Sequence, residues 1–365
     1  MMLHSSSINV LKVTATLLVF FCHSTITATN EFNYELHGVM KLFNTPAWGG
    51  VFMFFTISGL LAGYGFSRGR YKITRQGVGM YYRSRFLKVL LPTWVFLTLA
   101  YIFNMQESTL EVDAVIRWLT CTSNGGGSGI KAVGATWYVF ILMWLYLLSP
   151  FFAWVLNKIE ENNAGREKKC LIELLVAVSL IGLTYRLVGH FVFDLDWYNW
   201  LYANVIAAAD LFLIGMIGER IIGYSKLSKN GNIRIKLLLM LFLTIVILLS
   251  RGGIQPLGIL YRYIFPTFYA LLTIGLVAIY SLSSQKQGGV ISSVCNYISP
   301  YSFMFYLWHS MILMYIALKT DYITSDTSRF FATLIGGFLV TAYISFLMTR
   351  MNNSVLDFID KNDKK

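Results

Sequence analysis

Apolar stretches of about twenty residues recur along this chain from Ile8 to Thr349, and that recurrence constrains the fold more than any motif does. Each run is long enough to cross a hydrocarbon layer of about 30 Å as a helix. Inside such a layer every backbone N–H and C=O needs an internal partner, so only helices or closed barrels survive, and runs of this length select helices. The composition agrees: 56% of the 365 residues are hydrophobic and 13% charged, with a mean hydropathy of +0.59. The net charge of +12 is dispersed over short segments between the runs. It therefore reads as positive inner loops of a membrane protein and not as a nucleic-acid surface. Cys22, Cys121, Cys170 and Cys295 show no C-x-x-C spacing, which argues against a disulfide framework or a zinc site.

The runs divide into about ten spans: Ile8–Ala28, Trp48–Phe66, Phe86–Met105, Ala135–Leu156, Cys170–His190, Trp200–Ile222, Ile235–Ser250, Ile259–Ser281, Asn296–Leu318 and Phe330–Thr349. The first is longer than a signal-peptide core and lacks a small-residue cleavage pattern, so it reads as a retained span. With the N-terminus inside, inner segments hold 21 of the 30 lysines and arginines and outer segments 6, while Lys12, Arg186 and Arg262 fall within spans. That asymmetry predicts an all-α bundle in the cytoplasmic membrane with both termini cytoplasmic. Residues 1–350 form one transmembrane domain and 351–365 a short charged cytoplasmic tail. In the long outer loop, Ser108 and Glu111 make a capping-box pattern ahead of Leu110, Ala114, Val115, Trp118 and Leu119, which predicts a short interfacial helix. The glycine-rich stretch at 124–129 lacks the Gly-Lys-Ser/Thr ending of a phosphate loop and reads as a connector.

Ionisable residues at membrane depth cost several kcal/mol unless they face a polar cavity, so they point to function. Lys12 and His23 lie eleven residues apart in the first run, which returns to nearly the same helix azimuth about 16 Å further on. An imidazole suits general-base work; the structural alternative is a hydrogen bond to a neighbouring helix carbonyl. The hydroxyls of Thr14, Thr16, Ser24, Thr25 and Thr27 suit a wetted lumen around it. Lys12 is either an anchor for an anionic donor or a side chain snorkelling to the inner headgroups. The segment from Ser67 to Lys88 holds seven basic residues and no acidic one. Topology alone explains such a loop, but Arg85 and Lys88, one turn apart beside Arg83, also suit a phosphorylated cofactor. His309 follows Tyr306 by one turn in the ninth span. Arg186 and His190 share a face, and Asp210 can pair with a cation across helices, so Arg186, Asp210 and Arg262 read as structural ion-pair residues. The scattered histidines offer no metal site, and a serine-hydrolase elbow is absent.

Several segments together resemble the acyltransferase-3 family of integral-membrane O-acyltransferases. They are Asn9-Val-Leu11-Lys12 with His23, Phe54-Phe55-Thr-Ile-Ser58-Gly59-Leu60, Arg85-Phe-Leu-Lys88-Val-Leu-Leu-Pro92, Trp137-Tyr138, and Tyr306-Leu-Trp-His309. Lysine stands at 12 and 88 where the family pattern has arginine, which keeps the charge and loses the planar fork. One extra residue precedes Pro92, and the fused extracytoplasmic esterase-like domain common in the family is not expected here.

The resemblance implies transfer of an acyl group, most simply acetyl, from cytoplasmic acyl-CoA to a hydroxyl of a bacterial surface glycan or its lipid-linked precursor. His23 with Lys12 would be catalytic, and Arg83, Arg85 and Lys88 would seat the acetyl-CoA phosphates. Trp137, Tyr138, Tyr306 and His309 would contact the acceptor. No metal is expected, and the partners would be the glycan acceptor and membrane lipids, with no nucleic acid. The chain would either finish the transfer or hand the acyl group to a separate extracytoplasmic protein. The competing class is a transporter or flippase for a glycan precursor; the sequence shows neither the internal repeat nor the paired broken spans such proteins often carry.

Overall fold

The computed structural model describes residues 5–31, 33, 35–103, 112–122, 133–225, 260–282 and 289–362. Among the described residues there is no strand, and the helices follow the apolar runs. In chain order they are α1 (Ser5–Ile26), α2 (Ala47–Ser67), α3 (Arg75–Arg85), α4 (Leu91–Phe103), α5 (Val112–Thr120), α6 (Trp137–Asn162), α7 (Glu167–Phe191), α8 (Val205–Tyr224), α9 (Phe265–Leu282), α10 (Val290–Ile298), α11 (Ser302–Lys319) and α12 (Asp326–Asn362). Eight helical stretches among the described residues are long and apolar enough to cross a membrane. Helix α8 is not among these eight: Asp210, Glu219 and Arg220 are placed so that no membrane-length stretch of its 20 residues escapes any of the three charges. The seventh expected span, Ile235–Ser250, lies outside the described residues, as do Ser108, Glu111 and the glycine-rich stretch 124–129. Helix α12 runs on to Asn362, so most of the charged segment after Arg350 is helical.

Two joints show how proline is accommodated. A π turn, Phe86–Leu90, links α3 to α4, and Pro92 is the second residue of α4. The Leu91 N–H reaches back five residues to Phe86 O. Pro92 has no N–H to offer Lys88 O, so the ladder changes register where a donor is missing in any case. A second π turn, Leu260–Ile264, precedes α9, where Pro266 again stands second.

The chain divides into two compact units, one of Met1–Ala15, Trp48–Arg83 and Ile141–Asn296, the other of Thr16–Ala47, Ser84–Phe140 and Tyr297–Lys365. In the first unit α2 and α8 meet backbone to backbone. A Cβ on Gly59 would fall 1.9 Å from Phe212 O, and one on Gly215 would fall 2.1 Å from Thr56 O. Small residues permit this close approach, which in lipid replaces the hydrophobic drive that water supplies elsewhere. A polar knot joins α2, α6 and α8: Ser67 donates to Glu219 Oε1 at 2.9 Å, and Arg220 bonds both Glu160 and Asn157.

In the second unit the core is aromatic. Phe20 of α1 meets Phe305 of α11 edge-on at 5.4 Å and Phe338 of α12 at 5.6 Å, with Met40, Leu313, Phe330 and Leu334 packed around them. Helices α11 and α12 lie together along a stripe of small residues, Thr333, Gly337, Thr341 and Ser345, where a Cβ on Gly337 would meet Leu313 at 2.7 Å. Helix α5 is amphipathic as predicted. It buries Ala114 and Trp118 and leaves Val112, Ile116 and Leu119 exposed along one face, and Trp94 Nε1 donates to Trp118 O at 3.2 Å.

Candidate active site

Helix α1 is uninterrupted from Ser5 to Ile26, so Lys12 and His23 share one of its faces, and both are half-buried. The contact between Phe20 and Phe305 lies one turn before His23 on one side and one turn before His309 on the other. That packing brings the two histidines together: His23 Nδ1 is 2.5 Å from His309 Nε2. The rings are parallel within 3° with centroids 4.8 Å apart, which is close to the N···N distance plus two ring radii. They are therefore coplanar and meet edge to edge along one hydrogen bond, not face to face.

The direction of that bond follows from a carbonyl. His309 Nδ1 lies 2.6 Å from Tyr306 O, and a carbonyl can only accept, so Nδ1 carries the hydrogen. Neutral His309 then presents Nε2 as an acceptor. His23 Nδ1 must donate to it, which leaves His23 Nε2 with the lone pair. No described residue hydrogen-bonds His23 Nε2. Thus Tyr306 O, His309 and His23 form a directed relay ending in a basic nitrogen. Tyr306 is held in turn by its hydroxyl, which donates to Ala135 O at 2.8 Å, and by Tyr138, whose ring stands edge-on at 5.3 Å.

Ser310 completes the constellation, and the motif reading had passed over it. Its Oγ lies 3.1 Å from His309 Nε2 and 3.3 Å from His23 Nδ1. The available signal was a hydroxyl next to an imidazole inside a span. By contrast, Ser24 and Thr25, expected to line a wetted lumen, bond back to Phe21 O and Cys22 O of their own helix.

The other candidate residues are placed as follows. Trp137, Tyr138 and Tyr306 are buried; Tyr306 lies against His309 with ring centres 5.6 Å apart, Tyr138 against Tyr306, and Trp137 against Tyr138. Arg83 is exposed at the end of α3, Arg85 half-buried, and Lys88 exposed within the π turn. The extra residue before Pro92 is taken up by that π turn. It winds with more residues per turn than an α-helix, so Arg85 and Lys88 diverge further than two α-helical residues at that spacing. Their expected alignment on one face is not what forms.

Arg186 is 1% exposed and bonds Asp210 Oδ1 at 2.7 Å, Ala207 O at 3.0 Å and Thr267 Oγ1 at 3.3 Å. Asp210 fits because Gly182 has no side chain: a Cβ there would sit 1.9 Å from Asp210 Oδ2. Arg262 makes no ion pair among the described residues; its guanidinium lies over Trp197, 5.3 Å from the ring centre. His190 stacks on Tyr263 at 4.5 Å. The described residues contain no metal-ligand cluster.

No curated protein and no solved structure matches the chain. The family model described as an acyltransferase domain matches residues 5–350, essentially the whole sequence, and on that match this multi-pass chain belongs to the acyltransferase-3 family.

Proposed function

We propose that this protein is a membrane O-acyltransferase of the cytoplasmic membrane. It would take an acyl group, acetyl in the simplest case, from cytoplasmic acyl-CoA and pass it to a hydroxyl of a surface glycan or its lipid-linked precursor. Family membership supports the acyltransferase class and gives no support to the transporter alternative. The observation that carries the catalytic assignment is the directed bond from His23 Nδ1 to His309 Nε2, anchored at Tyr306 O.

In this reading His23 Nε2 removes the acceptor hydroxyl proton as the oxygen attacks the acyl carbonyl. The imidazolium that forms keeps its Nδ1–H on His309. In this step His309 is a positioning residue that fixes the tautomer, the part a carboxylate plays in a catalytic triad. The carbonyl re-forms, the leaving group departs, and the proton returns to it from His23. Both termini are cytoplasmic, and Arg83, Arg85, Lys88 and Lys12 draw the anionic donor electrostatically. A separate extracytoplasmic protein would serve as acceptor wherever the glycan is modified outside.

The test is turnover of acetyl-labelled acetyl-CoA by the full-length protein in lipid nanodiscs, with glycan precursors as acceptors. The wild type should consume acetyl-CoA and label the acceptor. His23→Ala should lose about 10²- to 10⁴-fold in transfer while eluting as folded protein. A His23→Ala variant with wild-type transfer would remove His23 from the chemistry.

A further inference from the structure

We infer that Ser310 is a nucleophile that carries the acyl group between donor and acceptor, a second catalytic residue that makes the transfer a two-step relay; this rests on the acyltransferase reading above.

The first support is its departure from the habit of buried helix hydroxyls in this chain. Ser24, Thr56, Thr93, Ser149, Ser179, Thr273 and Ser345 each donate to a carbonyl three or four residues earlier. That is the ordinary way a serine or threonine satisfies itself within a helix. The Ser310 hydroxyl instead lies 3.1 Å from His309 Nε2 and 3.3 Å from His23 Nδ1. A hydroxyl within reach of an imidazole that a third group orients is the arrangement that activates serine as a nucleophile. Here the third group is Tyr306 O, which holds Nδ1–H of His309 and leaves its Nε2 an acceptor that both His23 Nδ1 and the Ser310 hydroxyl can reach. Ser310 is half-buried, whereas His309 is only 1% exposed.

The second support is that two bases suit two half-reactions. In the first, Ser310 Oγ attacks the thioester carbonyl and its proton passes to His309 Nε2, which gives up the hydrogen bond from His23 Nδ1 to receive it. The C–S bond breaks, the sulfur leaves with that proton as the free thiol of CoA, and Ser310 holds an ester. In the second, the acceptor hydroxyl attacks the ester carbonyl and gives its proton to His23 Nε2. The bond to Ser310 Oγ breaks, and a proton returns to Oγ through the imidazole pair. Nothing is oxidised or reduced, and donor and acceptor need never be bound together.

The experiment uses the full-length protein in nanodiscs with acetyl-CoA and no acceptor. A relay through Ser310 predicts exchange of labelled free CoA into acetyl-CoA, and an acid-quenched acetyl ester on the peptide containing Ser310. Ser310→Ala should abolish both and lower transfer by at least about 100-fold. Ser310→Cys should keep an acyl group that neutral hydroxylamine removes, which tests the position even where alanine disturbs folding. Transfer to acceptor with no exchange, label on His23, or a fully active Ser310→Ala would overturn the relay and leave the acyltransferase reading standing. A wild-type protein inert toward acetyl-CoA would overturn both.

Discussion

Each compact unit buries one long-range polar contact between residues the sequence had singled out, and the two contacts are built to opposite ends. Arg186 in the first unit spends its guanidinium on three acceptors, Asp210, Ala207 O and Thr267. Its charge is balanced, and the remaining oxygen of Asp210 rests against the bare Cα of Gly182. The His23–His309 pair in the second unit is joined by one hydrogen bond and leaves a lone pair on His23 Nε2, while a serine hydroxyl lies beside the bond itself, near His23 Nδ1 and His309 Nε2. A buried cation bonded to acceptors on three sides holds helices together. An imidazole with a lone pair left over can move a proton. Perturbing the two should therefore move different observables.

The largest effect is expected at the histidines. His23→Ala and His309→Ala should each lower acyl transfer by about 10²- to 10⁴-fold. Because they act as one relay, the double variant should be no worse than the poorer single variant. His309→Gln restores an oxygen acceptor opposite His23 Nδ1 and should recover part of the loss, with the thermal midpoint little changed throughout. Multiplicative losses in a double-mutant cycle would break the relay, as would a fully active His309→Ala.

Stability is the observable for the ion pair. Asp210→Ala strands a buried guanidinium and should cost about 3–5 kcal/mol, whereas replacing both partners together, Arg186→Met with Asp210→Leu, should cost much less. Gly182→Ala pushes the carboxylate off its partner and should cost about 1–3 kcal/mol. That penalty should shrink in the Asp210→Ala background, where the carboxyl group is gone and only the Cβ of residue 210, 2.7 Å away, stands in the way of the new methyl. Thermal unfolding followed by size-exclusion chromatography reads all four variants. Should Asp210→Ala instead unfold normally and lose transfer per folded molecule, the division between the two contacts fails.

Much of this was legible in the sequence because lipid makes simple demands. Apolar run length fixed α1, α2, α6 and α7 to within a few residues, since a helix in hydrocarbon needs length and little else. A basic segment without acidic residues, and charges within spans, marked Lys12, His23, Arg186 and Asp210 for attention. The pairings were harder to see. That His23 meets His309 depends on how α1 packs on α11 through Phe20 and Phe305, across nearly 290 positions of chain. Asp210 had two candidate cations, Arg186 and His190, one turn apart on the same face, and it met Arg186 where Gly182 makes room for the carboxylate. The π turn at Phe86–Leu90 was present in sequence only as one residue too many before Pro92, and a count does not say where a helix absorbs it.

That turn supplies the smallest expected effect. In a regular helix Arg85 and Lys88 would stand close to one face and act as a pair on an anionic donor. The π turn parts them, leaving Arg85 half-buried and Lys88 exposed. A half-buried guanidinium is less screened and forks onto phosphate, while an exposed ammonium is largely screened at physiological salt. Arg85→Ala should therefore raise the KM for acetyl-CoA by about three- to tenfold with kcat nearly unchanged. Lys88→Ala should raise it by less than about threefold, with the difference fading as salt rises from about 0.05 to 0.5 M. Equal effects from the two variants would mean that the cations act together despite the turn. The donor would then be held by the charge of the whole segment and not by one oriented side chain.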